Sequence, residues 1–243
     1  MKKEKMISPG HKLEKRMGIV GVLLYLPAIL IIFLVILYPL IYALVMSFTN
    51  YRPTLRNASF IGFSNYVKIL TDNGFWMAMA RSLFFTITCL TFQIVLGLAM
   101  AQLLNHPRLK FKMLFRGFAI TPWLIPTVSV ALIFKWMFND LYGIINFGFV
   151  DIGVLSEPYA WMSHGPTAMF VLILANIWRG TPLMITMFLA GLQGIPSDYY
   201  EAARVDGANA WYTFRKITFP LLLPIVMVSG VLRFIWTFNF YDL

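Results

Sequence analysis

Five apolar runs, each long enough to cross a bilayer, restrict this chain to a small set of folds. They cover 18–48, 77–104, 115–138, 167–192 and 217–240, and crossing takes roughly 20 mostly apolar residues. In hydrocarbon every backbone N–H and C=O needs an internal partner, so runs of this length are helices. The predicted fold is all-α, a polytopic membrane protein with five spanning helices and short connections. The first run, over 19–46, is longer than a signal h-region and no A-x-A site follows it, so it reads as a retained anchor. Composition agrees, since 59% of the residues are hydrophobic and 12% charged, against about 25% charged in a soluble domain.

Charge sets the orientation. The net charge is +10, but the cations sit between the apolar runs, as topology signals facing anionic lipid do. Nucleic-acid binding is therefore not expected. Lys2, Lys3, Lys5, Lys12, Lys15 and Arg16 make residues 1–17 a basic tail. Arg108, Lys110, Lys112 and Arg116 mark a second basic loop, and Arg204, Arg215 and Lys216 a third. The opposite connections hold only Arg52, Arg56 and Lys68, so the N-terminus is predicted to be cytoplasmic. Trp76, Trp136, Tyr142, Tyr159 and Trp161 fall near the inferred outer boundary, where amphipathic rings prefer to sit. Arg81 and Lys135 lie near outer ends of spans, within snorkelling reach of the headgroups.

The inner segment over 194–216 is the most informative. Asp198 followed three positions later by Glu201 has the spacing of a capping box, which predicts a helix opening near Pro196. Ala202, Ala203 and Arg204 continue it, and Asp206-Gly207 ends it, because glycine readily takes the positive φ a helix end needs. A second helix is expected from Ala208, past Pro220 and Pro224. Small side chains flanked by one acid and one base suit docking of a partner surface. They equally suit a membrane-surface linker whose Glu201 favours the helix dipole.

Within the spans, Arg179 and Arg233 stand out, since an embedded arginine costs a few kcal/mol by insertion scales. Pro182 and Gly180 predict a kink or break beside Arg179, and broken helices often line a substrate path. The alternative is that Arg179 satisfies freed carbonyls or an acid of a partner subunit. Gln93, Asn176, Trp178, Trp236 and Asn239 are further candidates for a sugar path, though each also fits helix packing. Cys89, the single cysteine, reads as a small buried hydrophobe. His11, His106 and His164 have no carboxylate or cysteine cluster beside them, so neither a metal nor a catalytic site is expected.

The segment 194–224 resembles the EAA loop of binding-protein-dependent ABC importer permeases, through Glu201-Ala202-Ala203, Asp206-Gly207-Ala208, Ile217 and Pro220. Phe60, Gly62, Asn65 and Tyr66 with Phe75-Trp76 resemble the F-x-G-x-x-N-Y and F-W of the carbohydrate-type branch. The stretches 176–182, 190–196 and 235–239 resemble its fourth and fifth spans. What the resemblance implies is one permease domain over 18–243, of the type I importer kind, in a bacterial or archaeal cytoplasmic membrane. Such a domain usually has a sixth span after a G-G-G-P stretch; neither is present, which implies a truncated C-terminal end. The resemblance further implies a second permease subunit, two ATP-binding subunits carrying ATP and Mg, and an extracytoplasmic solute-binding protein. Glu201, Ala202, Ala203, Asp206, Gly207 and Ala208 would then form the coupling helix seated in an ATPase cleft.

No G-x-x-x-x-G-K-[ST] occurs, so ATP hydrolysis is expected on separate subunits and no cofactor on this chain. Two other classes fit less well. A secondary transporter would want an embedded acid for ion coupling, and no Asp or Glu lies in the five runs. A membrane enzyme would want a clustered set of His, Cys or carboxylates.

Overall fold

The computed structural model describes residues 24–51 and 58–239. The basic tail with His11, the start of the first run, Arg52, Arg56 and the end from Phe240 lie outside the described residues. The chain falls into two compact units, Met1–Met77 and Ala78–Leu243.

In the first unit, helix α1 (Leu24–Ser47) is apolar and exposed along its length. Its ladder widens into a π-turn at Phe33–Leu37, where Tyr38 N donates to Phe33 O. Pro39 follows, and a proline has no N–H for the carbonyl four residues back and crowds it. The wider turn gives that carbonyl room. After α1 the chain doubles back through a bridge between Thr49 and Phe60, and the F-x-G-x-x-N-Y pattern does specific work here. Asn65 Nδ2 donates to Ser47 O and Thr49 O at 2.8 and 2.9 Å, satisfying carbonyls left over at the helix end. The Tyr66 hydroxyl lies 2.6 Å from Ser47 Oγ, and Phe48 packs on Phe60, Phe63 and Tyr66. Gly62 sits at φ +59. The connection between the first two runs thus also contains a short helix, α2 (Ser64–Thr71). Trp76 Nε1 donates to Leu70 O at 2.9 Å across the joint into α3 (Asn73–Asn105).

The second unit holds most of α3, then α4 (Lys112–Leu124), α5 (Thr127–Met137), α6 (Ile144–Asp151), α7 (Gly165–Gln193), α8 (Ser197–Val205) and α9 (Ala210–Phe238). The expected third span is not one straight helix: α4 and α5 meet at 93°. Pro126 cannot donate into the ladder, and the residue before a proline is pushed out of the helical region. Ile125 accordingly adopts φ −77, ψ 130. The connection between the third and fourth runs contains α6.

Of the kink or break expected beside Arg179, a break does not occur: α7 continues as one helix through Pro182. Threonines serve the surrounding carbonyls: Thr181 Oγ1 donates to Ile177 O at 2.6 Å and Thr186 Oγ1 to Pro182 O at 2.9 Å. α9 carries a π-turn at Phe214–Thr218 ahead of Pro220, in the same register as the one ahead of Pro39.

The core lies where α3, α7 and α9 meet, with Leu98, Ala101, Leu104, Met184, Phe188 and Leu222 buried. Lipid tails are as apolar as leucine, so these helices cohere through close packing rather than a hydrophobic drive. Gly97 allows that closeness, since a Cβ there would stand 2.6 Å from the Cβ of Met184.

Candidate functional site

Two constellations stand out, one in the α8 loop and one inside the bundle. α8 opens directly after Pro196, with Ser197 as its first residue and no side-chain cap. The expected capping box therefore does not form. Asp198 and Glu201 lie within the helix, and Asp198 favours the dipole from the first turn without bonding a backbone N–H.

The far end is built as expected, and more fully. Gly207 sits at φ +74. Gly207 N donates to Arg204 O at 3.2 Å and Ala208 N to Ala203 O at 2.9 Å, the bond pair of a Schellman motif. The second helix starts at Ala210 rather than Ala208, because Asn209 caps it by accepting from Tyr212 N at 2.8 Å.

The two ends point the loop's residues in different directions. Ala203 is buried, and the Tyr200 hydroxyl lies 3.3 Å from Thr218 Oγ1, anchoring α8 to the base of α9. Glu201, Ala202 and Val205 are exposed, Val205 at 88%. Glu201 makes no hydrogen bond or ion pair among the described residues. A groove of about 470 Å³ runs beside it, lined by Tyr199, Ala202, Asp206, Gly207, Ala208 and Tyr212 among others. The loop is a rigid, double-capped projection with an unspent carboxylate and small side chains on its open face.

Inside the bundle, the structure brings three of the seven candidate path residues together. Gln93 on α3, Asn176 on α7 and Arg233 on α9 are 0%, 2% and 5% exposed. Gln93 Nε2 donates to both Asn176 O and Asn176 Oδ1 at 2.9 Å. Arg233 Nε donates to Gln93 Oε1 at 2.7 Å, and its Nη2 to Asn176 Oδ1 at 3.3 Å. Gly180 does not soften a turn here. A Cβ at 180 would overlap the guanidinium of Arg233 and the amide of Gln93, so glycine is what admits the node. Cys89 packs beside it on α3 with Ile173 and Ile177.

The guanidinium's insertion cost of about 2.5–3.5 kcal/mol is offset by two charge-assisted bonds of roughly 1.5–3 kcal/mol each. In this arrangement the three polar groups are committed to one another.

The other four candidates lie elsewhere. Trp178 is 40% exposed and packs on Phe134 with centroids 6.0 Å apart. Arg179 is half-buried, and Asn239 is exposed at the end of α9. Trp236 is exposed on the same helix.

One feature escaped sequence reading altogether. Asn146 of α6 is buried and makes four hydrogen bonds. It donates to Asn139 O and Tyr159 O, both at 3.0 Å, and accepts from Tyr159 N at 3.1 Å and Trp161 Nε1 at 2.9 Å. A lone asparagine in a loop gives no sequence signal of this. Among the described residues no group of three or more His, Cys, Asp or Glu is placed to hold a metal.

Comparisons with known proteins agree with this architecture. Residues 93–243 match the family described as binding-protein-dependent transport system inner membrane component. The chain is 33% identical over 232 residues to the trehalose/maltose transport system permease protein MalF of Thermococcus litoralis, covering 96% of this chain and 78% of that one. It is 35% identical over 224 residues to the inner membrane ABC transporter permease protein YcjO of Escherichia coli, covering 91% and 76%. A chain in the crystal structure of a bacterial alginate ABC transporter, in complex with alginate pentasaccharide-bound periplasmic protein, superposes with a TM-score of 0.76. It shares 26% identity over 91% of this chain and 73% of that one. With its bundle of apolar helices and this extent of likeness, the chain belongs to the binding-protein-dependent transport system inner membrane component family.

Proposed function

We propose that this chain is a permease subunit of a carbohydrate ABC importer, and that α8 is its coupling element toward a separate ATPase. The observation that carries the reading is the rigid α8 projection, with Glu201 unpartnered and Ala202 and Val205 exposed. A carboxylate held on a capped helix with small neighbours fits a cleft with a basic or polar group, and the Schellman turn fixes its angle. The basic loops support a cytoplasmic position for this end. In such an importer, ATP binding would draw two coupling helices together, and α7 and α9, joined to α8 at either end, would transmit the movement. Solute would arrive from an extracytoplasmic binding protein and pass between this chain and a second permease subunit. Relatives that carry trehalose, maltose or alginate support a sugar or oligosaccharide as cargo. A polyol phosphate is a further class of cargo that the resemblance implies.

The test is reconstitution with the partner permease, the ATPase and the binding protein. Glu201→Ala combined with Gly207→Pro should abolish ATPase co-purification and ATP-driven sugar uptake, while this chain still assembles with its partner permease. Uptake that persists in the double variant, or without any ATPase subunit, would overturn the proposal.

A further inference from the structure

The stretch between α3 and α4 carries chemistry that coupling and translocation leave unused. Arg108, Lys110, Lys112 and Arg116 put four cations within nine positions, and no carboxylate occurs anywhere from 73 to 139. Arg108 and Lys110 are exposed, while Lys112 and Arg116, one helical turn apart, are half-buried.

Apolar side chains are interleaved with these cations. Phe111 is 76% exposed and Met113 88%. Phe111 holds φ +57 and is the sole non-glycine residue with positive φ among those described. A bulky residue occupies that region only when its surroundings hold it there. Together with Leu114, Gly117, Phe118 and Thr121 it lines an open apolar groove of about 560 Å³ along α4. Across the helix, Arg116 reaches a second crevice of about 230 Å³ between α4 and the end of α7, beside Leu189 and Gln193. Its Nε there is buried without a hydrogen-bond partner among the described residues.

We propose that this surface binds an anionic phospholipid. Lys110 and Lys112 would take the headgroup phosphate, Arg116 adding its charge from across the helix, and an acyl chain would lie in the groove from Phe111 to Phe118. A free anion has no use for the apolar groove. An apolar partner helix leaves four cations without counter-charge, in a stretch that has none of its own. An amphiphile with a phosphate at one end answers both, and basic residues at the cytoplasmic edge of membrane helices attract such lipids. The proposal goes beyond the importer reading and rests on it only for the leaflet that supplies the lipid.

The test uses the full chain purified from bilayers of equal phosphatidylglycerol and phosphatidylcholine, with retained lipid read by native mass spectrometry. The wild type should retain phosphatidylglycerol at least tenfold over phosphatidylcholine. Each cation near an anionic headgroup is worth about a fivefold change. Lys110→Gln/Lys112→Gln/Arg116→Gln should therefore cut the preference at least tenfold, and the exposed single change Lys110→Gln about fivefold. Phe111→Ser/Phe118→Ser should lower retention of both lipids.

Equal retention of the two lipids by the wild type overturns the proposal, as does an unchanged preference in both the triple and the single cation variants. Displacement of the lipid by inorganic phosphate would make this a free-anion site, and displacement by the second permease subunit a protein interface; either result also overturns it. Because no ATPase is present in the assay, failure of the coupling reading leaves the outcome untouched.

Discussion

The buried node makes the sharpest quantitative prediction. Gln93→Leu deletes three hydrogen bonds: two from its amide to Asn176 at 2.9 Å and one from Arg233 at 2.7 Å. Arg233 is left with one bond of 3.3 Å to Asn176 Oδ1. Bonds between neutral groups across membrane helices average about 0.6 kcal/mol and reach about 1.7, whereas bonds to a charged group contribute about 1.5–3. The loss should therefore be about 3 kcal/mol, carried mostly by the stranded guanidinium. Arg233→Leu should cost less, because the arginine's own insertion cost of about 2.5–3.5 kcal/mol disappears with it. In the Arg233→Leu background, Gln93→Leu should then cost only about 1 kcal/mol, giving a coupling of at least ~1.5 kcal/mol by double-mutant cycle. The chain's seven tryptophans report reversible unfolding in mixed micelles, which supplies each corner of the cycle. A coupling below about 0.5 kcal/mol would refute the node as a structural unit. Loss of uptake with unchanged stability in Gln93→Leu would assign these residues to the path instead.

Other consequences follow from single positions. Gly180→Ala drives a methyl into Arg233 and Gln93, so it should cost about 1–3 kcal/mol of stability in the same assay; a neutral outcome would mean the node sits further from α7 than described. Gly207→Val forces a branched residue to φ +74 at about 1–2 kcal/mol. It should weaken ATPase co-purification, while Gly207→Asn, which tolerates that φ, should keep it. Asn146→Leu removes four hydrogen bonds that pin α6. Limited proteolysis between 139 and 164 should then accelerate while the α3–α7–α9 core stays protected, and an unchanged cleavage rate would show that the aromatic packing around Trp161 suffices.

The spans were legible because hydrocarbon leaves the backbone so few choices. Two runs appear as continuous helices with ends near those expected, Asn73–Asn105 and Gly165–Gln193; the described part of the first is helical to Ser47, and the last begins earlier than expected, at Ala210. Prolines were not legible in the same way. Pro122 and Pro126 stand four apart, and the helix breaks between them at Ile125. Pro220 and Pro224 have the same spacing, yet α9 runs through both, helped by the π-turn that precedes Pro220. Pro182, expected to kink or break α7, does not break it. A proline removes one donor and crowds one carbonyl; whether the chain absorbs that with a wider turn, a threonine hydroxyl or a 93° bend depends on the packing around it. Local sequence does not contain that information.

The α8 loop and the bundle node show the same divide at the level of function. Gly207 and Asp206 announce a turn by residue type alone, because positive φ is a property of one position. Gln93, Asn176 and Arg233 also announce themselves by type, as polar groups in apolar helices, but their meaning depends on direction. On α3 the buried positions Thr86, Cys89, Gln93, Gly97 and Ala101 repeat every three or four residues. That stripe of small and polar side chains was a signal available in the sequence, and it marks a face turned to other helices rather than to lipid. A side chain whose polar atoms are bonded within its own chain must release them before it can serve a solute. In the proposed importer, that release would cost the node several bonds at once. Residues already facing outward, Trp178 and Asn239 among them, bear no such cost. The same embedded polarity that singled out Gln93, Asn176 and Arg233 in the sequence therefore binds them to one another here, and in the proposed importer their release would have to precede any contact with solute.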